Sequence, residues 1–396
     1  MTIKVHLQMA CSYTNELIRS VLEKEDNLFT IVNSSISNNG NVLYWLEYED
    51  LDFDMLYRLG KDSHNKNVLA NSYCIRKGLL RKANFASFMQ KYLSKKPDSI
   101  LRKHYPETHI LDLSHPDYLD EALNEAYELR DVLEANIQET TTVPIPFILK
   151  ASILDKASEL FIFHTQTELE EFFTMKFDND DDEEEENDIA NVREWVIQRY
   201  IENPKLLSTY QNRKFHLRVY IVAERNLRVY VYDGILALFA SLSYQDDPQS
   251  FDRLRHITNT CAQTDSNLNE EALVKEFFTL EELDETIRSD IFEQIKTIVK
   301  EIFTGLHNEV TIFQPLKNAF EIYGFDFLID ENNQVYFLEA NAYPDFKQTG
   351  NSLSILINEL FQNVVQQIIL PYFGYEQSKK DIQRQLHLIY DKQKVI

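Results

Sequence analysis

The sequence predicts an α+β protein, in which strands and helices mix without regular alternation. Three observations favour this class. Apolar residues recur at helical spacing in residues 74–93, and paired strand patterns joined by short turns occur in residues 214–240 and 324–341. A chain of 396 residues is also long enough for two or three packed units. We therefore expect several α+β units rather than a regular βαβ protein.

Residues 1–140 are predicted to form a mixed N-terminal region. The alternating residues 41–48 indicate a strand, and helices are indicated at 74–93 and in an acidic stretch at 117–138. The segment 143–146, VPIP, then predicts a boundary, because two closely spaced prolines favour extended backbone.

The predicted central unit spans residues 141–225 and begins with a short apolar strand, FILK, at 147–150. A second strand at 159–163 and a helix at 167–175 follow. The run 178–188, DNDDDEEEEND, holds nine acidic residues and has no apolar periodicity. We interpret it as a solvated, disordered loop, and a docking site for a basic partner is the alternative.

The predicted C-terminal unit covers residues 226–396. A long helical stretch is indicated at about 269–306, followed by a hairpin at 324–341 and then helices to the end. Three strand patterns are indicated at residues 194–201, 214–223 and 227–240. The first two precede this unit and the third lies in it, and the second and third are separated by a hairpin-like spacing.

The strongest candidate for chemistry is the hairpin 324–341. Side chains alternate between the two faces of a strand, so Glu339 and Asn341 share one face. With the turn centred on residues 332–333, Asp326 lies opposite Glu339 across the ladder. Two carboxylates and an amide oxygen suit Mg²⁺. The alternative is a half-exposed hairpin whose polar residues face water.

A second candidate is the strand at 213–220, RKFHLRVY. Lys214, His216 and Arg218 fall on one face by the same period of two. Two permanent cations on one strand face are costly unless they meet anions, and phosphate is a natural anion for them. Pairing with acidic neighbours, which this chain has in abundance, is the alternative.

Two weaker candidates lie upstream. The apolar strand at 195–201 contains Gln198 and Tyr200, and it would offer backbone groups and apolar cover to an adenine. A plain core strand is the alternative there. Lys150 ends the strand at 147–150, and a lysine in that place often extends its charged end to the surface.

Six segments occur in this order along the chain, with a basic segment, IRKGLLRKANF, upstream of them at residues 75–85. They read FILK, VIQRYIENPKLL, RKFHLRVYIV, RHITNTCAQ, YGFDFLID and YFLEANAYP. This series resembles the tubulin-tyrosine-ligase-like family over about residues 70–370. The segment YDGILALFA, at 232–240, is especially similar to the fungal branch, in which a processing-body protein is associated with the mRNA decapping machinery.

The resemblance implies the ATP-grasp fold, with an N-terminal α/β region and with central and C-terminal subdomains that hold ATP between them. It also implies a reaction in which a carboxylate and ATP form an acyl phosphate, from which an amine then displaces phosphate. ATP and Mg²⁺ are the implied cofactors. The implied roles are catalysis by Lys214 and Arg218, nucleotide binding by these two with Lys150 and Asn341, adenine binding by Gln198, Tyr200 and Ile201, and Mg²⁺ binding by Asp326, Glu339 and Asn341.

The chain also departs from the family pattern. In the family a glycine-rich stretch follows the phosphate-binding lysine, whereas residues 151–160 here read ASILDKASEL. Cβ atoms restrict such a loop and block its close approach to phosphates. His216 stands where tubulin tyrosine ligase has an acidic residue near the ribose. Ala237 and Leu238 occupy the stretch in which that enzyme carries a substrate-facing arginine.

Two functions follow from this mixture. The first is a processing-body factor that binds the mRNA decapping complex and has degenerate or weak ligase activity. The alternative is an active ATP-dependent carboxylate–amine ligase that adds an amino acid to a protein terminus of tubulin or of another substrate. The retained candidate metal residues support the ligase, and the glycine-free loop supports the binding protein.

The net charge of −24 bears on the partners. It argues against direct binding of nucleic acid or an anionic membrane, favours a basic protein partner, and disfavours the acidic tubulin tail. There is no apolar run of membrane-spanning length, the first residues are too polar for a secretory signal, and the three cysteines are widely spaced. We therefore expect a cytoplasmic protein, in processing bodies according to the resemblance.

Overall fold

The computed structural model combines three sheets with helices, which confirms the predicted α+β class. No helix in the described ranges is long and apolar enough to cross a membrane. The structure describes all residues except 1, 26, 33–39, 62–66, 138–143, 153–159, 179–191, 246–251, 259–272, 343, 345, 347–352, 377–381 and 395–396.

The N-terminal sheet is parallel, with the strand order β2-β1-β3-β4. This is a local βαβ arrangement, because helices follow β1 and β3 before the chain returns to the sheet. Its elements are β1 (Ile3–Gln8), α1 (Ser12–Glu23), β2 (Phe29–Ile31), β3 (Val42–Leu46), α2 (Phe53–Lys61) and β4 (Val68–Ala70).

The segment 74–93, which was predicted to be one helix, forms two helices. The backbone is extended at Arg81 (φ −92°, ψ 122°), and this residue separates α3 from α4. The helices of residues 76–104 are α3 (Lys77–Leu80), α4 (Lys82–Lys95) and α5 (Leu101–His104).

The central sheet is antiparallel, with the order β5-β8-β6-β7. Phe147, Phe173 and Trp195 are fully buried between it and its helices. Its elements are β5 (Thr108–Asp112), α6 (Leu119–Glu125), α7 (Tyr127–Ile137), β6 (Phe147–Ala151), β7 (Leu160–Phe163), α8 (Gln166–Asp178) and β8 (Glu194–Arg199).

A seven-stranded sheet forms the body of the protein. Its long central strand, β9, pairs with β10, β11 and β13, and β13 pairs with β14. The strands are β9 (Arg213–Glu224), β10 (Arg228–Tyr232), β11 (Leu236–Ser243), β12 (Val274–Glu276), β13 (Phe320–Ile329), β14 (Val335–Ala342) and β15 (Leu386–Asp391). The helices are α9 (Arg253–His256), α10 (Glu285–Leu306), α11 (Ser354–Val364), a π-helical turn (Val365–Ile369) and α12 (Leu370–Tyr372).

Three predicted elements of the C-terminal half were wrong. The single strand at 227–240 is broken into β10 and β11 at Asp233 and Gly234, and the last segment, β15, is a strand instead of a helix. The long helix begins at Glu285 and not near 269, because Asp284 caps it by accepting a hydrogen bond from the Ile287 N–H at 2.8 Å. The short strand β12 precedes it.

The predicted units 1–140, 141–225 and 226–396 stay a prediction. β5 joins the central sheet from before the boundary at 140, and β9 joins the large sheet from before the boundary at 225. In the predicted acidic loop, Asp178 is the last residue of α8, and the remainder lies outside the described residues.

A buried ion-pair cluster joins the segment before α3 to the large sheet. The Glu321 carboxylate on β13 accepts hydrogen bonds from the Tyr323 hydroxyl at 2.7 Å and from the Tyr73 N–H at 3.1 Å. It also accepts one from the Ser72 hydroxyl and pairs with Arg76. This cluster fixes the start of α3 and α4 relative to β13, on which the candidate metal residue Asp326 lies.

Candidate functional site

A cleft of roughly 230 Å³ lies where the central sheet, the α3–α4 junction and β14 meet. The three elements that form it come from distant parts of the chain, so the cleft exists only in the folded protein. Its polar lining consists mainly of Arg81, Lys82, Lys150, Gln198, Glu339 and Asn341.

The predicted pairing of the two carboxylates is confirmed by the hairpin register. Asp326 on β13 lies directly opposite Glu339 on β14. Arg218 on β9 is the partner of Asp326 on the other side, and its guanidinium donates to both carboxylate oxygens, at 2.5 and 3.0 Å. Asn341 donates its amide N–H to Asp326 at 3.1 Å. The register therefore brings an arginine, two carboxylates and an amide together.

Glu339 is held in its charged form by the surrounding cations. Burial opposes that charge, but Lys82, Lys150 and Arg218 outweigh burial, and a hydrogen bond from Asn341 adds to their effect. The result is a pKa of Glu339 well below its usual range. The Lys82 ammonium lies 3.6 Å from the Glu339 carboxylate. The carboxylate is thus available as a metal ligand across the physiological pH range.

Lys150 faces the cleft from β6 with a neutral hydrogen-bond partner. Its ammonium donates to the Gln198 amide oxygen at 2.8 Å, and Gln198 in turn donates to the Thr108 hydroxyl at 3.0 Å. Burial, opposed by Glu339 and assisted by the charge of Lys82, lowers the pKa of Lys150 to about 8. An anion in the cleft would stabilise the charged lysine.

Lys214 on β9 also has a neutral hydrogen-bond partner, and it is more deeply buried than Lys150. Its ammonium donates to the Tyr200 hydroxyl at 2.8 Å and lies 4.2 Å from the centre of the Tyr200 ring. Burial, together with the charge of Lys150, lowers the pKa of Lys214 to about 7. Two lysines that repel each other and have neutral partners indicate a site built for an anion.

His216 lies between the lysine and the arginine on β9. Its Nδ1 is 2.5 Å from the Thr258 hydroxyl oxygen, and its Nε2 is 3.6 Å from Asp326. Burial outweighs the effect of Asp326 and lowers the pKa of His216 to about 4. The imidazole is therefore neutral at physiological pH. It occupies the site as a hydrogen-bonding group and not as a third cation.

The oxygen donors fit Mg²⁺, and the lysines fit a triphosphate. Oδ1 of Asp326 keeps a lone pair beyond its hydrogen bond from Arg218, whereas Oδ2 accepts from both Arg218 and Asn341. Asn341 presents an amide oxygen with no partner among the described residues. Mg²⁺ commonly takes one or two carboxylates together with nucleotide phosphates. Within the described ranges no group of three or more His, Cys, Asp or Glu offers a metal site without such additional ligands.

The structure brings most of the predicted site residues together, in two layers. Lys150, Gln198, Glu339 and Asn341 line the cleft. Behind them lie the contacts of Lys214 with Tyr200 and of Arg218 with Asp326. Ile201 is half-buried and is not part of the described cleft wall. Tyr200 was predicted to hold adenine, but its side chain contacts the Lys214 ammonium.

Two residues of the site were not predicted. Lys82 begins α4 beside Glu339, and Ser152 accepts a hydrogen bond from the Ala83 N–H at 3.1 Å, which ties α4 to the end of β6. The basic segment 75–85 was visible in the sequence. Its place at the cleft depends on contacts between residues about 70 and 257 positions apart, which no local pattern shows.

The fold and this site define an ATP-grasp protein of the α+β class. The tubulin-tyrosine ligase family model matches residues 61–377, and the chain belongs to this family. The structure resembles that of the C-terminal domain from K. lactis Pby1, described as an ATP-grasp enzyme interacting with the mRNA decapping enzyme Dcp2. The TM-score is 0.74 and the sequence identity 30%, over 99% of both chains.

Two yeast relatives extend this assignment. The chain is 38% identical to the probable tubulin–tyrosine ligase PBY1 of Saccharomyces cerevisiae, over 91% of the chain and 50% of that protein. It is 37% identical to the probable tubulin–tyrosine ligase C12B10.04 of Schizosaccharomyces pombe, over 98% of the chain and 96% of that protein. The chain thus spans about half of the first relative and nearly all of the second. The predicted resemblance to the fungal branch is confirmed.

Proposed function

We propose that this chain binds ATP with Mg²⁺ in the cleft and serves as a partner-binding protein of the mRNA decapping machinery, with weak or no ligase turnover. Nucleotide binding is supported by two buried lysines, Lys150 and Lys214, whose hydrogen-bond partners are neutral. It is also supported by the carboxylates of Asp326 and Glu339, which lie opposite each other across the hairpin. The observation that supports the partner is the likeness to the Pby1 domain.

In this proposal each residue has a physical task. Lys150 and Lys214 bind and orient phosphates. Arg218 holds Asp326 in place through two hydrogen bonds, and its own charge also attracts the phosphates. Asp326, Glu339 and Asn341 would hold Mg²⁺, which when bound neutralises phosphate charge and acts as a Lewis acid. Gln198 keeps the Lys150 ammonium in the cleft, and its own position is fixed by Thr108.

Isothermal titration of Mg²⁺·ATP into the purified chain tests this proposal. We expect binding by the wild type and a large loss for Glu339→Gln, which keeps the shape of the side chain and removes the charge. Glu309→Gln is the matched control, because Glu309 contacts Lys91 on the surface and lies outside the described cleft. Failure of the wild type to bind Mg²⁺·ATP would refute the nucleotide part of the proposal.

The partner part is tested by a pull-down with the mRNA decapping enzyme. We expect capture by the wild type and by Glu339→Gln, because a scaffold does not depend on turnover. Capture that needs Mg²⁺·ATP and fails for Glu339→Gln would make the nucleotide a structural ligand of the complex. No capture of either form at micromolar concentration and low salt would refute the partner. Fluorescent tagging in a fungal cell, with a processing-body marker, tests the location.

An active ligase is the second candidate, and one observation favours it. The strand register brings Arg218, Asp326, Glu339 and Asn341 together, and a ligase needs this group for turnover whereas partner binding alone does not. The absence of glycine from residues 151–160 opposes it. The assay is release of ADP and phosphate in the presence of an amino acid and a protein acceptor. Turnover that disappears in Glu339→Gln would establish the ligase.

Tubulin is possible as the acceptor but disfavoured. Ala237 and Leu238 are buried in β11, where they pair with β9, so this stretch presents no charged group to a substrate tail. We expect weak or no incorporation of tyrosine into detyrosinated tubulin by the purified chain. Robust incorporation, measured with labelled tyrosine, would contradict this.

A further inference from the structure

A hydrogen-bonded chain leads away from the site behind Lys214. The Tyr200 hydroxyl is 2.8 Å from the Lys214 ammonium and 2.9 Å from Nδ1 of His256, which lies on α9. Tyr200 and Lys214 are both more than nine-tenths buried. The nucleotide function as proposed above does not use His256 or the side chain of Tyr200.

The directions of these hydrogen bonds follow from the groups themselves. A lysine ammonium has only donors, so the Tyr200 oxygen must accept from Lys214. The hydroxyl keeps its own proton as a donor, and Nδ1 of His256, at 2.9 Å, is an acceptor for it when the imidazole carries its proton on Nε2. We take His256 as the neutral tautomer with its proton on Nε2, the form in which Nδ1 accepts from the Tyr200 hydroxyl. An imidazolium would place a second donor against the same oxygen.

The other charged groups near Lys214 do not take the place of this chain. Lys150 on β6 repels it, and His216 on the same strand is neutral at physiological pH. Within the described ranges, the Tyr200 hydroxyl is thus the hydrogen-bond acceptor of the buried ammonium. Its donation to His256 makes its oxygen a better acceptor, because linked hydrogen bonds polarise one another. The Tyr200 ring adds a cation–π contact, which does not depend on the hydroxyl.

We propose that Tyr200 and His256 are positioning residues for Lys214, in which the hydroxyl and the imidazole together hold the ammonium charged and aimed at the phosphate position. This inference rests on the proposed nucleotide function. It assigns α9 a role in the site and gives the Tyr200 side chain a task other than covering adenine. It also makes nucleotide binding dependent on the integrity of α9.

The test measures Mg²⁺·ATP affinity at pH 6 and pH 8 for the wild type, Tyr200→Phe and His256→Phe. Both variants keep an aromatic ring and lose one hydrogen bond of the chain. Loss of the bond lowers the pKa of Lys214, so binding at pH 8 requires more proton uptake. We expect roughly tenfold weaker binding at pH 8, for a pKa about one unit lower, and a much smaller loss at pH 6. His256→Gln, whose amide oxygen can accept, should restore part of the affinity.

Tyr244→Phe is the matched control. Tyr244 packs against the same imidazole at 5.3 Å, and its hydroxyl donates to the Glu202 carbonyl oxygen instead of contacting Lys214. A structural effect of α9 would lower affinity equally at both pH values and would also appear in Tyr244→Phe. Equal losses at pH 6 and pH 8, or unchanged affinity in Tyr200→Phe, would overturn the inference.

A second measurement needs no nucleotide. The ¹³Cε resonance of Lys214, identified by its absence in Lys214→Met, is titrated in labelled protein. The inference requires a lower pKa of Lys214 in Tyr200→Phe and His256→Phe than in the wild type, and an unchanged value in Tyr244→Phe. This readout stands even if the wild type does not bind Mg²⁺·ATP, so failure of the proposed function and failure of this inference are distinguishable.

Discussion

Lys214 shows how a single buried charge lowers stability at a site that we propose binds phosphate. An unfolded chain leaves its pKa near 10.5, and the folded protein lowers it to about 7. Between these two pH values the unfolded state binds more protons, so the free energy of unfolding rises with pH across this window. At pH 7 and below, the cost of burying the charged lysine is present in full and amounts to a few kcal/mol.

Lys214→Met should therefore stabilise the nucleotide-free protein while it weakens Mg²⁺·ATP binding. The gain in the free energy of unfolding is expected to be largest at pH 7 and below and to fall toward zero near pH 10.5. Urea denaturation at pH 6, 7, 8 and 9 measures it. Lys91→Met is the control, because Lys91 is exposed and pairs with Glu309. A gain that does not change with pH would show that packing, and not the charge, is responsible.

Gly324 is required by the close approach of β9 to the hairpin. A Cβ atom there would lie 2.8 Å from Pro344 Cβ and 3.0 Å from Arg218 Cδ. Gly324→Ala should thus push Arg218 away from Asp326, lower the free energy of unfolding by about 1–3 kcal/mol and weaken Mg²⁺·ATP binding. Denaturation and titration calorimetry check the two effects. Normal stability together with normal affinity would show that Arg218 moves aside without consequence.

At the level of elements, the hairpin of β13 and β14 was predictable because a strand has a period of two and its turn fixes the register. This local geometry was sufficient to place Asp326 opposite Glu339. The same reasoning placed Lys214, His216 and Arg218 on one face of β9. β12 and β15 were not predictable, because short strands are specified by the neighbours with which they pair.

Contacts between elements that are distant in the sequence could not be predicted from local sequence patterns. Arg76 and Glu321 are 245 residues apart, and nothing in either segment alone indicates their pairing. The position of Lys82 in the cleft depends on this contact, since Arg76 lies just before α3. Glu321 is fully buried, and burial raises its pKa in spite of the opposing effect of Arg76.

Glu321→Gln should destabilise the protein by about 3–5 kcal/mol, because it removes the buried carboxylate with which Arg76 pairs. The change should also weaken Mg²⁺·ATP binding, through displacement of the start of α4. Glu309→Gln removes the partner of Lys91 on α4 in an exposed pair and should cost at most about 1 kcal/mol. Urea denaturation of both variants measures the loss in the free energy of unfolding for each. Equal costs would show that the buried cluster does not anchor α3 and α4.

In the whole molecule, charge is strongly segregated. Residues 76–104 contain nine Lys or Arg and one Asp, although the net charge of the chain is −24. Seven of these cations are exposed, among them Lys95 and Lys96 at the end of α4. Net charge alone therefore describes the surface poorly: the cleft opens beside a basic segment, and the remainder of the chain is even more acidic than the total. At the mouth of the cleft, an acidic substrate would therefore meet basic side chains and not the acidic body.

This segregation allows the partner surface to be located from association rates. Lys95→Glu and Lys300→Glu each replace an exposed helical lysine and make the chain more acidic by two charges, but only Lys95 lies within the basic residues 76–104. If a basic partner is steered by the field of the acidic body, both variants should speed its association modestly and equally at low salt, and added salt should remove the difference. We expect this outcome for the mRNA decapping enzyme in stopped-flow or surface-binding measurements at 50 and 300 mM salt. Slower association of Lys95→Glu alone would instead place the docking surface on residues 76–104, beside the cleft. Binding of the partner and of a protein substrate would then be mutually exclusive.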